Sequence, residues 1–225
     1  MRIGVCFHPN METVLSLRPD LVIIQENPAR LKEKFEALRL KVMELPHTSV
    51  NDIFASITEI GRVAGVEDRA DGLCQKIRGK LSEIQSKAAE RPRRRMMFIV
   101  GRTPGTIEGL IAVGSSSYLN ELIAIGGGAN VFEQASAPYP KVSLEEILAR
   151  NPEVIVDMGD MAKTDGVTEE QKRNVARLWG RFPSLAAVKR KGVHGVASDI
   201  FVVPGPRMVD AALAFARMLH PEVAW

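Results

Sequence analysis

Apolar and polar positions keep one rhythm twice along this chain. Residues 11–24, METVLSLRPDLVII, and residues 144–157, LEEILARNPEVIVD, align without a gap, position 144 standing against position 11 at an offset of 133. Glu12 falls on Glu145, Leu15 on Leu148, Pro19 on Pro152 and Asp20 on Glu153. Asn10 and Ser143 precede the two copies as N-cap residues, and Ser143 with Glu146 spells a capping box. Val14 with Leu15, and Ile147 with Leu148, give each copy the apolar face of a short helix. The prolines disfavour helix at Arg18 and Asn151. The apolar runs that follow have little alternation and read as short strands buried on both faces, as in parallel sheets.

The same reading predicts further strands at 41–44, 96–100, 193–196 and 200–203, and helices at 29–38, 49–63, 116–125, 168–178 and 206–219, the last with Pro206 at its first position. Strand and helix alternate in both halves, which is an α/β pattern. The segment 67–90 has no proline and repeats Leu73, Ile77, Leu81, Ile84 and Ala88 at helical spacing. It reads as one amphipathic helix, ~30 Å or more at 1.5 Å per residue. The expected organisation is therefore an α/β class chain of two lobes joined by a single long helix: a partial N-terminal lobe over 1–66, the interlobe helix over 67–92 and a C-terminal lobe over 93–225. A cleft between two such lobes is a favoured place for a ligand.

Composition narrows the function without naming it. The 225 residues carry a net charge of +3, too little to argue for nucleic acid. No run approaches the length of a membrane span. MRIGVCFHPN lacks a long apolar segment with a small-residue cleavage site, so no signal peptide is expected in this chain. Cys6 and Cys74 do not define a redox compartment and read as core thiols. The basic run ERPRRR at the end of the long helix reads as a solvated turn more readily than as a phosphate site. Gly126-Gly127-Gly128 follows a helix and fits neither phosphate-loop pattern, so it reads as a helix C-terminus. Ser115-Ser116-Ser117 lacks the setting of a nucleophilic serine. His8, His47, His194 and His220 show no metal-binding spacing. No catalytic constellation emerges, and no cofactor is expected.

Several motifs together resemble one family. Asn10-Met11-Glu12 followed by Leu17-Arg18-Pro19-Asp20-Leu21-Val22-Ile23 resembles the N-lobe motif of the cobalamin and ferric-siderophore substrate-binding proteins of ABC importers. Tyr139-Pro140-Lys141-Val142-Ser143-Leu144-Glu145 resembles the matching C-lobe motif. Leu119-Asn120-Glu121-Leu122 leading to Gly126-Gly127-Gly128-Ala129-Asn130-Val131-Phe132 is similar to the same family. So are Trp179, Phe182 to Leu185 with Ala187 to Lys189, and Pro204-Gly205-Pro206-Arg207. The resemblance spans about residues 3–221 and is nearest to the cobalamin-type branch. It implies two α/β lobes on a stiff helical backbone. It further implies capture of a metal chelate (corrinoid, siderophore or haem) and docking on a transmembrane permease through one glutamate per lobe. It implies a periplasmic or cell-surface location, with membrane contact only through the permease. Members usually begin with a signal or lipoprotein peptide and a first strand–helix unit that has no counterpart here, so the N-lobe is expected to be incomplete.

The docking glutamates map to Glu12 and Glu145. Read as residues alone, both are first-turn acids that complement a helix end. Tyr139, braced by Pro138 and Pro140, is an aromatic platform for a flat ligand or a residue packed over the lobe edge. Arg207 is a candidate for a ligand carboxylate or phosphate, or for an acid at the lobe edge; Asp199 and Phe201 share that neighbourhood. Gln25 and Glu26 follow the first repeated strand, where doubly wound sheets bind ligands. The aromatic content of 5% argues against an extended aromatic cage. Two other readings remain open at this point. One is a partner-only remnant of the fold that binds no small molecule. The other is a metal-cofactor enzyme on a similar two-lobe plan.

Overall fold

Side-chain caps from Asn10, Ser49, Ser117, Ser143 and Thr168 fix where five of the helices begin. In the computed structural model, which describes residues 4–5, 8–26, 29–159, 164 and 166–225 (backbone alone for 4, 5 and 8), Asn10 accepts the Thr13 amide at 2.9 Å and starts the first helix. Cys6 lies outside the described residues. The contacts divide the chain after His47 into two compact units.

The first unit pairs β1 (Gly4–Val5) with β2 (His8–Pro9) antiparallel. Then come α1 (Met11–Ser16), β3 (Val22–Gln25), α2 (Leu31–Ala37) and β4 (Val42–Leu45), with β3 and β4 parallel. Val14, Leu31 and Phe35 form its core, with Met11, Val22, Ile24 and Val42 packed against them. Burial on both faces of β3 is not what the structure shows. Ile23 is 47% exposed, because the described part of this core covers only the Val22 and Ile24 face.

The second unit opens with two packed helices, α3 (Val50–Ala64) and α4 (Glu67–Ala89). Ser49 and Asp52 form a full capping box on α3, and Gly65 closes it at φ 66. Gly61 lets the helices meet, because a Cβ there would strike the Ala70 methyl. The apolar stripe of α4 runs through Ala70, Cys74, Ile77, Leu81, Ile84 and Ala88. Leu73 is not on it and stands 37% exposed. The stripe runs back from Ile77 through Cys74 to Ala70, which puts Leu73 on the neighbouring face. The arginines after α4 are structural anchors: Arg93 donates to the Gly128 carbonyl, Arg95 to the Asn151 carbonyl, and Arg94 pairs with Glu222.

There follow β5 (Arg94–Gly101), β6 (Ile111–Ala112), α5 (Tyr118–Ile125), β7 (Gly128–Asn130), α6 (Leu144–Arg150), β8 (Val154–Asp157), α7 (Glu169–Trp179), α8 (Ala186–Lys189), β9 (Val193–Gly195) and α9 (Met208–Leu219). The sheet runs β6-β5-β8-β9, with β7 beside the first half of β5; all pairings are parallel except β5 with β6. Alternation along β5 feeds two cores. Met96, Phe98 and Val100 join α3, α4, α5 and α9, while Met97 and Ile99 join Ile147, Trp179 and Leu185 on the other face. Burial on both faces is why β5 and β8 read as unbroken apolar runs.

The repeat is structural as well as sequential. α1–β3 and α6–β8 are the same helix-to-strand step, and the residue before each proline is left-handed, Arg18 at φ 46 and Asn151 at φ 45. Two expectations fail near the C-terminus. Residues 200–203 are no strand: Ser198 caps a 3-10 turn (Asp199–Phe201), and the Val202 and Val203 amides both fold back on the Asp199 carbonyl. That turn drives Phe201 into the core against Phe98 and Phe215. Helix α9 begins at Met208, leaving Pro206 in the preceding turn. Among the described residues, no helix is long and apolar enough to cross a membrane.

Candidate functional site

Glu12 and Glu145 occupy equivalent positions, each one residue into a capped helix. The α6 cap explains why Glu145 is spare. Its neighbour Glu146 turns back to accept the Ser143 amide at 2.9 Å, and Ser143 Oγ accepts the Glu146 amide in return. The Glu146 carboxyl is held below its ordinary value, mainly by that amide bond. Glu12 and Glu145 are both exposed and have no hydrogen-bond or ion-pair partner among the described residues. Each unit thus presents an uncommitted carboxylate at the same place in the repeated helix-to-strand step.

The carboxyl end of the larger sheet is held by a buried charge cluster that sequence reading did not single out. Asp157, 1% exposed, ends β8. It accepts Arg102 Nε at 2.9 Å and Trp179 Nε1 at 2.8 Å. Arg102 also donates to the Thr106 carbonyl, and its amide bonds the Gly159 carbonyl. One carboxylate therefore ties together the loops that leave β5 and β8. Beside it, the end of β9 borders a cavity of about 460 Å³ whose lining includes Lys172, His194, Val196, Ser198, Phe201 and Met218. Burial pushes the His194 imidazole below its ordinary value of 6.5, so the ring is neutral near pH 7. Phe201 reaches this cavity from the core, 3% exposed. Asp199 and Arg207 instead pair with each other at 2.8 and 2.6 Å in an exposed bidentate bridge. That bridge holds Asp199 below and Arg207 above their ordinary values.

Tyr139 stands at the head of α5. Its loop is pinned on both sides, since the Gly114 amide bonds the Pro138 carbonyl and the Ala112 amide bonds the Pro140 carbonyl. The residue is 36% exposed, with its hydroxyl at the more buried end. Ser117 Oγ, the cap of α5, donates to that hydroxyl at 3.5 Å. Burial pushes the Tyr139 phenol up, and the Ser117 bond works weakly against it. Gln25 and Glu26 lie at the carboxyl end of β3, where the Glu26 amide bonds the Leu45 carbonyl. The structure thus brings Asp199 to Arg207 and sets Tyr139 on the α5 cap. Gln25, Glu26 and Glu12 belong to the first unit.

A family model described as periplasmic binding protein matches residues 7–195. The chain belongs to that family. A vitamin B12-binding protein of Vibrio vulnificus (strain YJ016) is 30% identical over 207 residues, covering 90% of this chain and 69% of the relative. The solved periplasmic vitamin B12 binding protein of Vibrio cholerae superposes with a TM-score of 0.75 at 23% identity, over 98% of this chain and 81% of that one. A periplasmic heme binding protein from Pseudomonas aeruginosa gives 0.77 at 21%, over 99% and 79%. At such identities the structural likeness speaks to the fold, which is the α/β periplasmic binding protein type expected from the sequence.

Cys74 is a core thiol whose S–H points to the Phe54 carbonyl at 3.9 Å. Among the described residues, no group of three or more histidine, cysteine or acidic side chains could hold a metal. Gly127 is left-handed at φ 87 and ends α5, with His220 and Ala88 packed where a side chain would go. Ser117 had a readable signal as an N-cap. Asp157, Arg102 and His194 had none, because their importance depends on which strand ends the topology brings together.

Proposed function

We propose that this chain is the substrate-binding component of an ABC importer. In this reading it captures a corrinoid or a ferric chelate such as a siderophore or haem, and works in the periplasm or at the cell surface. The observation that carries it is the 30% identity with a vitamin B12-binding protein across 90% of the chain. The geometry is consistent with capture rather than conversion. Among the described residues of the larger sheet's strand ends, Asp157 is buried and paired with Arg102, Asp199 is paired with Arg207 and His194 is neutral, and none of these stands as an activated nucleophile or base.

In this reading the chain works as two lobes, 1–66 and 93–225, with the helix over 67–92 between them. Tyr139, Phe201, Gln25 and Glu26 contribute to the chelate site, and the Asp199–Arg207 bridge stands ready to exchange its internal pairing for a ligand carboxylate. Glu12 and Glu145 dock on the permease. Two uncommitted carboxylates at repeated positions support that role, since opposed charges fix orientation and speed encounter more than they add affinity.

Isothermal titration with cyanocobalamin, cobinamide, haem and a ferric hydroxamate tests the reading. Saturable one-to-one binding of at least one chelate is the expected result. Heat of dilution alone for all four contradicts it.

A further inference from the structure

Tyr118 is the first residue of α5, and 2% of it is exposed. Its ring belongs to the large core cluster with Leu119, Leu122 and Phe215. Its hydroxyl is buried and has no hydrogen-bond partner among the described residues. A phenylalanine would supply the same apolar ring without burying an unpaired O–H, which is destabilising. A buried polar atom left unpaired in a folded protein calls for an explanation, and a partner that arrives later is one.

The surroundings say where that partner would come from. Burial pushes the Tyr118 phenol up, and the nearby Tyr139 phenol adds to that rise. Tyr139 is partly exposed and also touches the Ser117 hydroxyl. Gly114 makes this approach possible: a side chain there would collide with the Ala135 and Ala137 carbonyls and with Pro140. Three hydroxyls are thus gathered at the head of α5. Tyr118 carries the buried, unsatisfied hydroxyl, and Tyr139 is the partly exposed member.

We propose that Ser117, Tyr118 and Tyr139 form a hydroxyl subsite for a hydrogen-bond-accepting group on the rim of the bound chelate, with Tyr118 as the donor. This rests on the chelate-binding reading above and adds a specificity residue to it. The chemistry recognised is a carboxylate or an amide carbonyl. Haem offers the first and cyanocobalamin the second. Burial keeps the Tyr118 phenol protonated, so it donates throughout the physiological pH range.

The test compares the full chain with its Tyr118→Phe variant, titrated with cyanocobalamin and with haem. Whichever chelate the wild type binds should bind the variant about fivefold to tenfold more weakly, while the melting temperature of the free variant holds or rises. A weakening confined to haem assigns the subsite to a carboxylate, and one confined to cyanocobalamin assigns it to an amide. Equal affinity in wild type and variant overturns the subsite and leaves the parent reading intact. No binding of either chelate by the wild type overturns the subsite, and the parent reading falls with it only if cobinamide and a ferric hydroxamate also fail to bind. A second measurement is independent of how the variant folds. The chain has only 2 tyrosines, so ¹³Cζ-tyrosine labelling yields two resonances that Tyr139→Phe assigns. The Tyr118 signal should move when chelate is added to the wild type, and a fixed signal at saturation overturns the proposal.

Discussion

Asp157 shows how much one residue can organise. It is buried and accepts hydrogen bonds from Arg102 and Trp179, which lie on different elements. Removing the charge strands the Arg102 guanidinium in a site where only 8% of its side chain is exposed. Breaking a buried pair from one side costs about 3–5 kcal/mol. Asp157→Asn should therefore lower unfolding stability by about that amount in urea titrations, and tryptophan fluorescence should shift as Trp179 loses its partner. His194 gives a pH-dependent counterpart. Its folded pKa is depressed by burial, so above 6.5 both folded and unfolded states hold it neutral and it contributes nothing. As pH falls through 6.5 the unfolded chain binds the proton first, and stability is lost until the folded pKa is passed. His194→Gln should reduce the drop in melting temperature between pH 7.5 and the acid side of that window. Neither residue stood out in the sequence, because a strand-end aspartate and a lone histidine acquire meaning only when topology supplies their neighbours.

Elements were far more legible than side-chain partners. The repeated helix-to-strand step carried its own punctuation: Asn10 and Ser143 cap, the apolar pairs pack, and the prolines end the helix. The structure added the left-handed turn at Arg18 and Asn151 and left Ile23 exposed on one face of β3. Helices α3, α4 and α7 were also legible from helical spacing, although the stripe read for α4 put Leu73 where Ala70 and Cys74 belong, and the Ser49 and Thr168 caps emerged with the structure. What misled was local pattern without context. Ile200 to Val203 is apolar and β-branched, yet a serine cap and the pull of the Phe98–Phe215 core turn it into a 3-10 loop. Two substitutions test the element-level account. Ser143→Ala removes one half of the α6 capping box and should cost about 1 kcal/mol by chemical denaturation. Gly61→Ala forces a methyl into Ala70 at the α3–α4 contact. Overpacking of that kind costs about 1–3 kcal/mol and should show as a lower melting temperature with unchanged helical circular dichroism at low temperature.

For the whole molecule, the fold class and the family were readable because five weak motifs occurred in order around one long helix. The ligand was not readable, since relatives on this fold carry different chelate names and the polar groups near the strand ends largely satisfy one another. The docking proposal belongs to this scale. Reversing both charges, Glu12→Arg with Glu145→Arg, should leave chelate binding unchanged and lower the melting temperature only slightly, through the two helix ends, while weakening association with the permease tenfold or more, roughly 1.4 kcal/mol. Loss of chelate binding in that double variant would place these carboxylates in the ligand site instead. The central claim is capture without chemistry. Native mass spectrometry of the chain mixed with cyanocobalamin, haem and a ferric hydroxamate tests it most directly. The account predicts a one-to-one complex with one chelate, at a mass equal to protein plus intact chelate after prolonged incubation. Free protein alone, or a chelate released with altered mass, would contradict it.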